Sequence, residues 1–136
     1  MIYVDSNCWI YWMDARLPEH AHTIAPMRKA ASNGILMSYT TLVEVAHYLR
    51  RLPAAEFQSS MTAMQNLSML TLVDLDDEIT LQALELLPRY SGKGLGGRDC
   101  VIVATMKSRG VKDILTHDRA FANVEGIHVV DPVPRD

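Results

Sequence analysis

The sequence predicts an α/β domain: a three-layer α/β/α sandwich with a central, mainly parallel sheet. Short apolar runs recur along the chain and alternate with longer stretches of helical periodicity. The runs are short and mostly apolar, as buried strands of a parallel sheet are. Each run ends at a cap, turn or breaker residue.

Residues 2–4 (Ile2, Tyr3, Val4) form the first run. It stops at Asp5-Ser6-Asn7, which reads as a strand end followed by a capped helix start. Asn33-Gly34 is a helix stop, and residues 35–38 form the second strand. Residues 40–51 place Leu42, Val45, Ala46 and Leu49 on one helical face ahead of Pro53. Residues 54–68 carry Phe57, Met61, Met64 and Leu67 at the same spacing. Residues 70–73 are the third strand, closed by Asp74, Asp76, Asp77 and Glu78, which suit a helix start. Residues 79–90 repeat the helical pattern with Leu81, Leu84 and Leu87. Residues 91–97 are glycine-rich and read as a loose, flexible loop. Residues 99–109 are apolar on most sides and stop at Gly110. Residues 114–116 and 127–130 are the last two strands, the latter closed by Asp131-Pro132. No repeat, linker or low-complexity segment interrupts residues 1–136, which read as one domain.

Composition narrows the class. Of the 136 residues, 49% are apolar and 21% charged, the balance of a folded soluble protein. No apolar run approaches the ~18 residues of a membrane helix, and the N-terminus lacks the basic start of a signal peptide. Cys8 and Cys100 form no CxxC pair, so reduced thiols and a cytoplasmic location are expected. The net charge of −3 disfavours nucleic acid only weakly. Setting aside four site carboxylates of the 16 acidic side chains leaves 12 against 13 basic ones.

Those four carboxylates carry the functional argument. Ligands of open α/β sheets bind beyond the carboxyl ends of the strands. Asp5 ends the first strand, Glu44 lies in the first turn of the helix after the second, and Asp118 follows the fourth. Asp99 opens the helix that feeds the fourth strand. The topology can bring all four to one edge, where their repulsion calls for a cation. Oxygen-only ligands suit Mg2+ or Mn2+ rather than zinc. Carboxylate-held Mg2+ is suited to phosphodiester hydrolysis. If they converge, the metal-free protein stores repulsion, so Mg2+ or Mn2+ should raise its melting temperature, and Asp5→Asn should raise the metal-free value while abolishing the metal response. Each acid also has a plain structural reading: Thr41-x-x-Glu44 as a capping box, Asp99 as a partner of the helix dipole, Asp5 and Asp118 as caps or turn residues.

Four segments resemble the PIN-domain ribonucleases, and most closely the VapC-type toxins of toxin–antitoxin modules. They are Asp5-Ser6-Asn7; Ser38-Tyr39-Thr40-Thr41-Leu42-Val43-Glu44-Val45; Gly97-Arg98-Asp99-Cys100 with its apolar continuation; and Thr116-His117-Asp118-Arg119-Ala120-Phe121. Cys100 stands where alanine is common and His117 where asparagine is common. The resemblance implies a PIN-like fold and a Mg2+-dependent endoribonuclease, Mn2+ able to substitute, that leaves a 5′-phosphate and a 3′-hydroxyl. It implies Asp5, Glu44, Asp99 and Asp118 as metal and catalytic acids, with Asn7 and Thr116 as polar supports. It further implies an RNA substrate, a cognate antitoxin and a homodimer.

Other signals carry less. Gly92-Lys93-Gly94-Leu95-Gly96-Gly97 matches a dinucleotide fingerprint but follows a helix, not a strand. Lys93 within it and Arg98 just after it suit phosphate contacts or a solvated loop equally. His20 and His22 read as loop surface and His47 as helix surface. Arg50, Arg51, Lys107, Arg109, Lys112 and Arg119 read as scattered surface charge. Met61, Met64 and Met69 read as core, and the two cysteines as buried, inert thiols. Two alternatives stand beside the nuclease: a non-catalytic RNA- or protein-binding module, and a phosphotransfer domain with Asp5 as acceptor.

Overall fold

Every apolar run forms a strand in the computed structural model, which describes residues 1–135. The strands are β1 (Ile2–Val4), β2 (Ile35–Ser38), β3 (Leu70–Val73), β4 (Asp113–Leu115) and β5 (His128–Val130). They make one parallel sheet in the order β3-β2-β1-β4-β5. β1 is central: Tyr3 pairs with Leu36 on one side and with Ile114 on the other. The chain order reverses between β1 and β4, the crevice where such sheets bind ligands.

Among the described residues, six α-helices cover the sheet: α1 (Ser6–Met13), α2 (His20–Asn33), α3 (Tyr39–Leu49), α4 (Ala54–Gln65), α5 (Asp77–Tyr90) and α6 (Gly97–Ser108). Successive strand side chains point to opposite faces, and the core divides accordingly. Tyr3, Leu36 and Ile114 pack with Ile79 and Leu86 of α5, Ile102, Val103 and Met106 of α6, and Phe121. Val4, Ile35, Met37 and Leu115 pack with Cys8 and Trp9 of α1, Met27 of α2, Val45 of α3 and Met64 of α4. This is the three-layer sandwich expected from the apolar runs. Met61 and Met64 are core residues, and Met69 packs against them.

Four local expectations are corrected. The cap of α3 is Ser38, whose Oγ accepts from the Thr40 N–H at 3.1 Å. Thr41 is instead buried, 2.6 Å from the Tyr3 hydroxyl. No Thr41–Glu44 capping box therefore forms, and Glu44 lies in the second turn rather than the first. His20 and His22 belong to the first turn of α2, not to a loop; His20 Nδ1 lies 2.9 Å from the Tyr11 carbonyl oxygen. The inward face of α5 is Ile79, Ala83, Leu86 and Tyr90, whereas Leu81 and Leu84 are 63% and 59% exposed. Asp76 caps this helix, accepting from the Ile79 N–H at 2.8 Å.

The glycine-rich stretch is also more ordered than expected. It forms a 3-10 turn at Ser91–Lys93, buries Leu95, and lends Gly97 to α6. Asn123 Nδ2 donates to the Lys93 carbonyl at 3.0 Å, tying it to the 3-10 turn Arg119–Asn123. Gly94 has φ +90°, and a Cβ there would lie 3.3 Å from the Ala120 Cβ. Gly94→Ala is therefore expected to cost about 1–2 kcal/mol from the left-handed backbone, plus the contact with Ala120. Chemical denaturation measures this; an unchanged midpoint would remove the stretch from the list of stabilising elements.

Candidate active site

The carboxyl ends of β1 and β4 place the first pair of groups. Asp5 follows β1 and caps α1, with Oδ1 accepting from the Ser6 N–H at 2.7 Å. It is fully buried. Its other oxygen, Oδ2, accepts from the Thr116 hydroxyl at 2.8 Å, across the crevice from the end of β4. The same hydroxyl accepts from Asn7 Nδ2 at 3.2 Å and from the Asp118 N–H at 3.0 Å. Asn7 Oδ1 in turn accepts from the His117 N–H at 3.3 Å. Asn7 and Thr116 thus form a polar bridge between the two strand ends.

Helices from opposite layers bring the next acids. Glu44 comes from α3 and is partly exposed. Asp99 is the third residue of α6, and its Oδ2 accepts from the Gly96 N–H at 2.9 Å, closing the helix start. Its cap reading therefore holds, yet only one oxygen is used for it. The remaining oxygens converge on Arg98. Nη1 lies 2.8 and 2.9 Å from the two Glu44 oxygens and 3.4 Å from Asp5 Oδ1, while Nη2 donates to Asp99 Oδ1 at 2.8 Å. Asp118 stands apart: its Oδ1 accepts from the Ala120 N–H at 2.9 Å, capping the 3-10 turn. It touches the cluster through its backbone, by way of Thr116.

Arg98 is the group the sequence left undecided between phosphate contact and solvated loop. Its adjacency to Asp99 was the available signal; its reach to Asp5 and Glu44 depends on the tertiary fold. Lys93 instead lies over the Tyr90 ring, 5.7 Å from the centroid.

Electrostatics follow from this crowding. Burial raises the Asp5 pKa, against the opposing charge of Arg98 and the Thr116 hydrogen bond. Burial also raises the Glu44 pKa, with Arg98 opposing and the Asp5 and Asp99 charges adding. Burial works against the charge of Arg98, but the Glu44 hydrogen bond and the carboxylates around it outweigh that and raise its pKa. Burial likewise raises the Cys8 and Cys100 thiols, both free and buried.

A carboxyl whose pKa is higher folded than unfolded holds its proton more tightly in the folded state, so its ionisation costs stability as pH rises. Glu44→Gln is therefore expected to gain stability relative to wild type as pH climbs from below the ordinary Glu value of 4.5 to neutral. Paired thermal melts in EDTA read this difference; a Glu44→Gln melting temperature that falls relative to wild type as pH rises would contradict it.

Among the described residues, no three His, Cys, Asp or Glu side chains stand placed, as they are, to hold a metal ion. Arg98 fills the point where they meet. The donor set nevertheless fits a hard divalent cation: oxygens only, from three carboxylates, already gathered on one cationic group and outnumbering its charge. A groove of about 490 Å3 opens beside Glu44, between Ser6 and Ile10 of α1 and His47, Arg50 and Arg51. The Arg51 guanidinium lies 5.6 Å from the Tyr48 ring centroid. Tyr48 is held by its hydroxyl, which donates to Asp14 at 2.7 Å.

The PIN domain family model matches residues 2–127. A search of curated protein sequences returns no match. Among solved structures, the chain is similar to VapC20 of Mycobacterium tuberculosis, a sarcin–ricin-loop-cleaving toxin. The identity is 18% and the TM-score 0.69, covering 84% of this chain and 87% of that one. DNA-bound VapBC from Salmonella typhimurium matches with 22% identity and TM-score 0.71, covering 98% of this chain and 100% of that one. FitAcB from Neisseria gonorrhoeae matches with 18% identity and TM-score 0.72, covering 97% and 98%.

Proposed function

The chain belongs to the PIN-domain family, and from that premise we propose that it is a metal-dependent endoribonuclease hydrolysing RNA phosphodiester bonds. The observation that carries this reading is the convergence of Asp5, Glu44 and Asp99, from three separate elements, on one cationic group at the sheet's crevice. These three residues, with Asp118 joining from the far side of Thr116, would hold Mg2+, with Mn2+ as a substitute. A divalent cation, when bound, supplies Lewis-acid polarisation of the phosphoryl group and offsets the charge that builds on its oxygens.

The chain's own residues have distinct parts. Ser6 and Thr116 fix the orientation of the Asp5 carboxylate. Gly96 fixes Asp99 through one oxygen and leaves the other toward the centre. Glu44 is the most exposed of the three acids and, once its oxygens leave Arg98, would be the one to accept a proton at Oε from an attacking water. Arg50, Arg51 and His47 line a groove leading away from Glu44 and suit an RNA backbone. With both its oxygens hydrogen-bonded and no exposure, Asp5 is poorly disposed to act as a phosphoryl acceptor.

The fold shared with VapC20 and the VapBC complexes supports a toxin role with a protein antitoxin as partner. The exposed Leu81 and Leu84 supply apolar surface of the kind that protein partners, a second copy included, cover. The buried, free thiols suit the cytoplasm, where such an enzyme would meet cellular RNA. No helix among the described residues is long and apolar enough to cross a membrane.

A second reading, a non-catalytic RNA- or protein-binding module, draws on the same Arg98, which already partners three carboxylates. Purified protein incubated with total RNA separates the two. We expect discrete fragments with Mg2+ or Mn2+, none with EDTA, and a fall of about a hundredfold or more for Asp99→Asn. That substitution keeps an oxygen for the Gly96 N–H and removes the charge. RNA retained but uncut would favour the binding module; equal cutting by wild type and Asp99→Asn would overturn the site.

A further inference from the structure

Arg98 occupies the one point at which the acids meet. Three carboxylates from β1's end, α3 and α6 face a single guanidinium at 2.8 to 3.4 Å. The Arg98 side chain is 35% exposed and that of Glu44 29%, while Asp5 and Asp99 are buried. The pair that links α3 to α6 can therefore open toward solvent without disturbing either core.

We propose that Arg98 is a resident counter-ion which a divalent cation must displace, so that the guanidinium and the metal exclude one another at the acidic centre. The inference rests on the metal reading of the site given above. Two like-signed groups cannot share oxygens that number so few. A cation arriving at Asp5, Glu44 and Asp99 leaves the guanidinium without its partners. The displaced side chain then stands beside the centre as a free, planar donor, matched to a phosphate by charge and by geometry. Arg98 thereby acts as a positioning residue: it neutralises the acids before metal arrives, and sets how much metal is needed.

The exchange has a measurable consequence. An equilibrium that favours the closed, arginine-paired state lowers apparent metal affinity by the fraction of open protein. If about a tenth of the molecules are open, removing the arginine tightens binding roughly tenfold. A clamp that merely shapes the site predicts the reverse, because its loss would let the carboxylates splay apart.

The experiment is Mn2+ binding without RNA, read by the electron paramagnetic resonance of the free ion, for wild type, Arg98→Gln and Arg98→Lys. The expected order of affinity is Arg98→Gln tightest, Arg98→Lys between, wild type weakest. Binding to wild type that is as tight as, or tighter than, binding to a folded Arg98→Gln overturns the inference and leaves the metal reading standing. No binding to any of the three overturns both. Should Arg98→Gln fail to fold, the wild type decides: on Mg2+ titration the 15N-coupled guanidinium signals of Arg98 are expected to shift, and signals unmoved at saturation overturn the proposal.

Discussion

Asp5→Asn is expected to lower RNA cleavage by about a hundredfold to a thousandfold and to destabilise the metal-free protein. The first effect follows from removing a buried charge at the proposed metal centre. The second reverses what relief of repulsion alone suggests, and Thr116 is the reason. A hydroxyl has one hydrogen to give and two lone pairs. Thr116 gives its hydrogen to Asp5 Oδ2 and fills both lone pairs with Asn7 Nδ2 and the Asp118 N–H. An asparagine at position 5 must turn its NH2 either toward this saturated hydroxyl or toward the Ser6 N–H. In both orientations buried donors face one another, at about 1–3 kcal/mol. The Arg98 contact weakens as well. Urea denaturation in EDTA measures the outcome; a more stable Asp5→Asn would show that repulsion dominates and that the hydroxyl has freedom the hydrogen bonds deny it.

Thr116→Val is expected to be the more damaging change to the fold, at roughly 3 kcal/mol. The substitution preserves shape and removes one atom's hydrogen bonding. Asp5 loses a donor where the carboxylate is fully buried, and the Asn7 amide and Asp118 N–H lose their acceptor together. Thr116→Ser retains the hydroxyl and is expected to recover most of the loss. Denaturant midpoints for the pair check this. A Thr116→Val midpoint no lower than that of Thr116→Ser, which lacks the methyl that valine keeps, would show that the hydroxyl's hydrogen bonds do not set the cost.

The sheet was legible because its inner strands are buried on both faces, β2 throughout, and a run such as Ile35-Leu36-Met37 suits such a strand. The phase of α5 was not. Ile79, Ala83, Leu86 and Tyr90 share the helical period of Leu81, Leu84 and Leu87, and periodicity does not choose between two apolar stripes on one helix. Packing against α6 makes that choice. For α2 only the end, at Asn33-Gly34, was legible; its composition is mixed and Pro26 lies within it.

Among the acids, Asp5 and Asp99 were readable because each stands where an element begins or ends. For Asp99 the capping and site readings are compatible, one oxygen serving each. Asp118 is a cap in this structure, an alternative the sequence left open. Arg98 could not be assigned from sequence, since two of its three partners lie 93 and 54 residues away.

The central position of β1 bears on synthesis. Its partner β4 is made last but one among the strands, more than a hundred residues after Tyr3. Asp99, Arg98 and Thr116 also belong to the final third of the chain. A nascent chain carries Asp5 and Glu44 long before it can oppose them with anything. On the reading proposed above, a protein able to cut RNA would therefore stay inert until Thr116 has been made, with the cutting centre completed only as the sheet closes around its first strand.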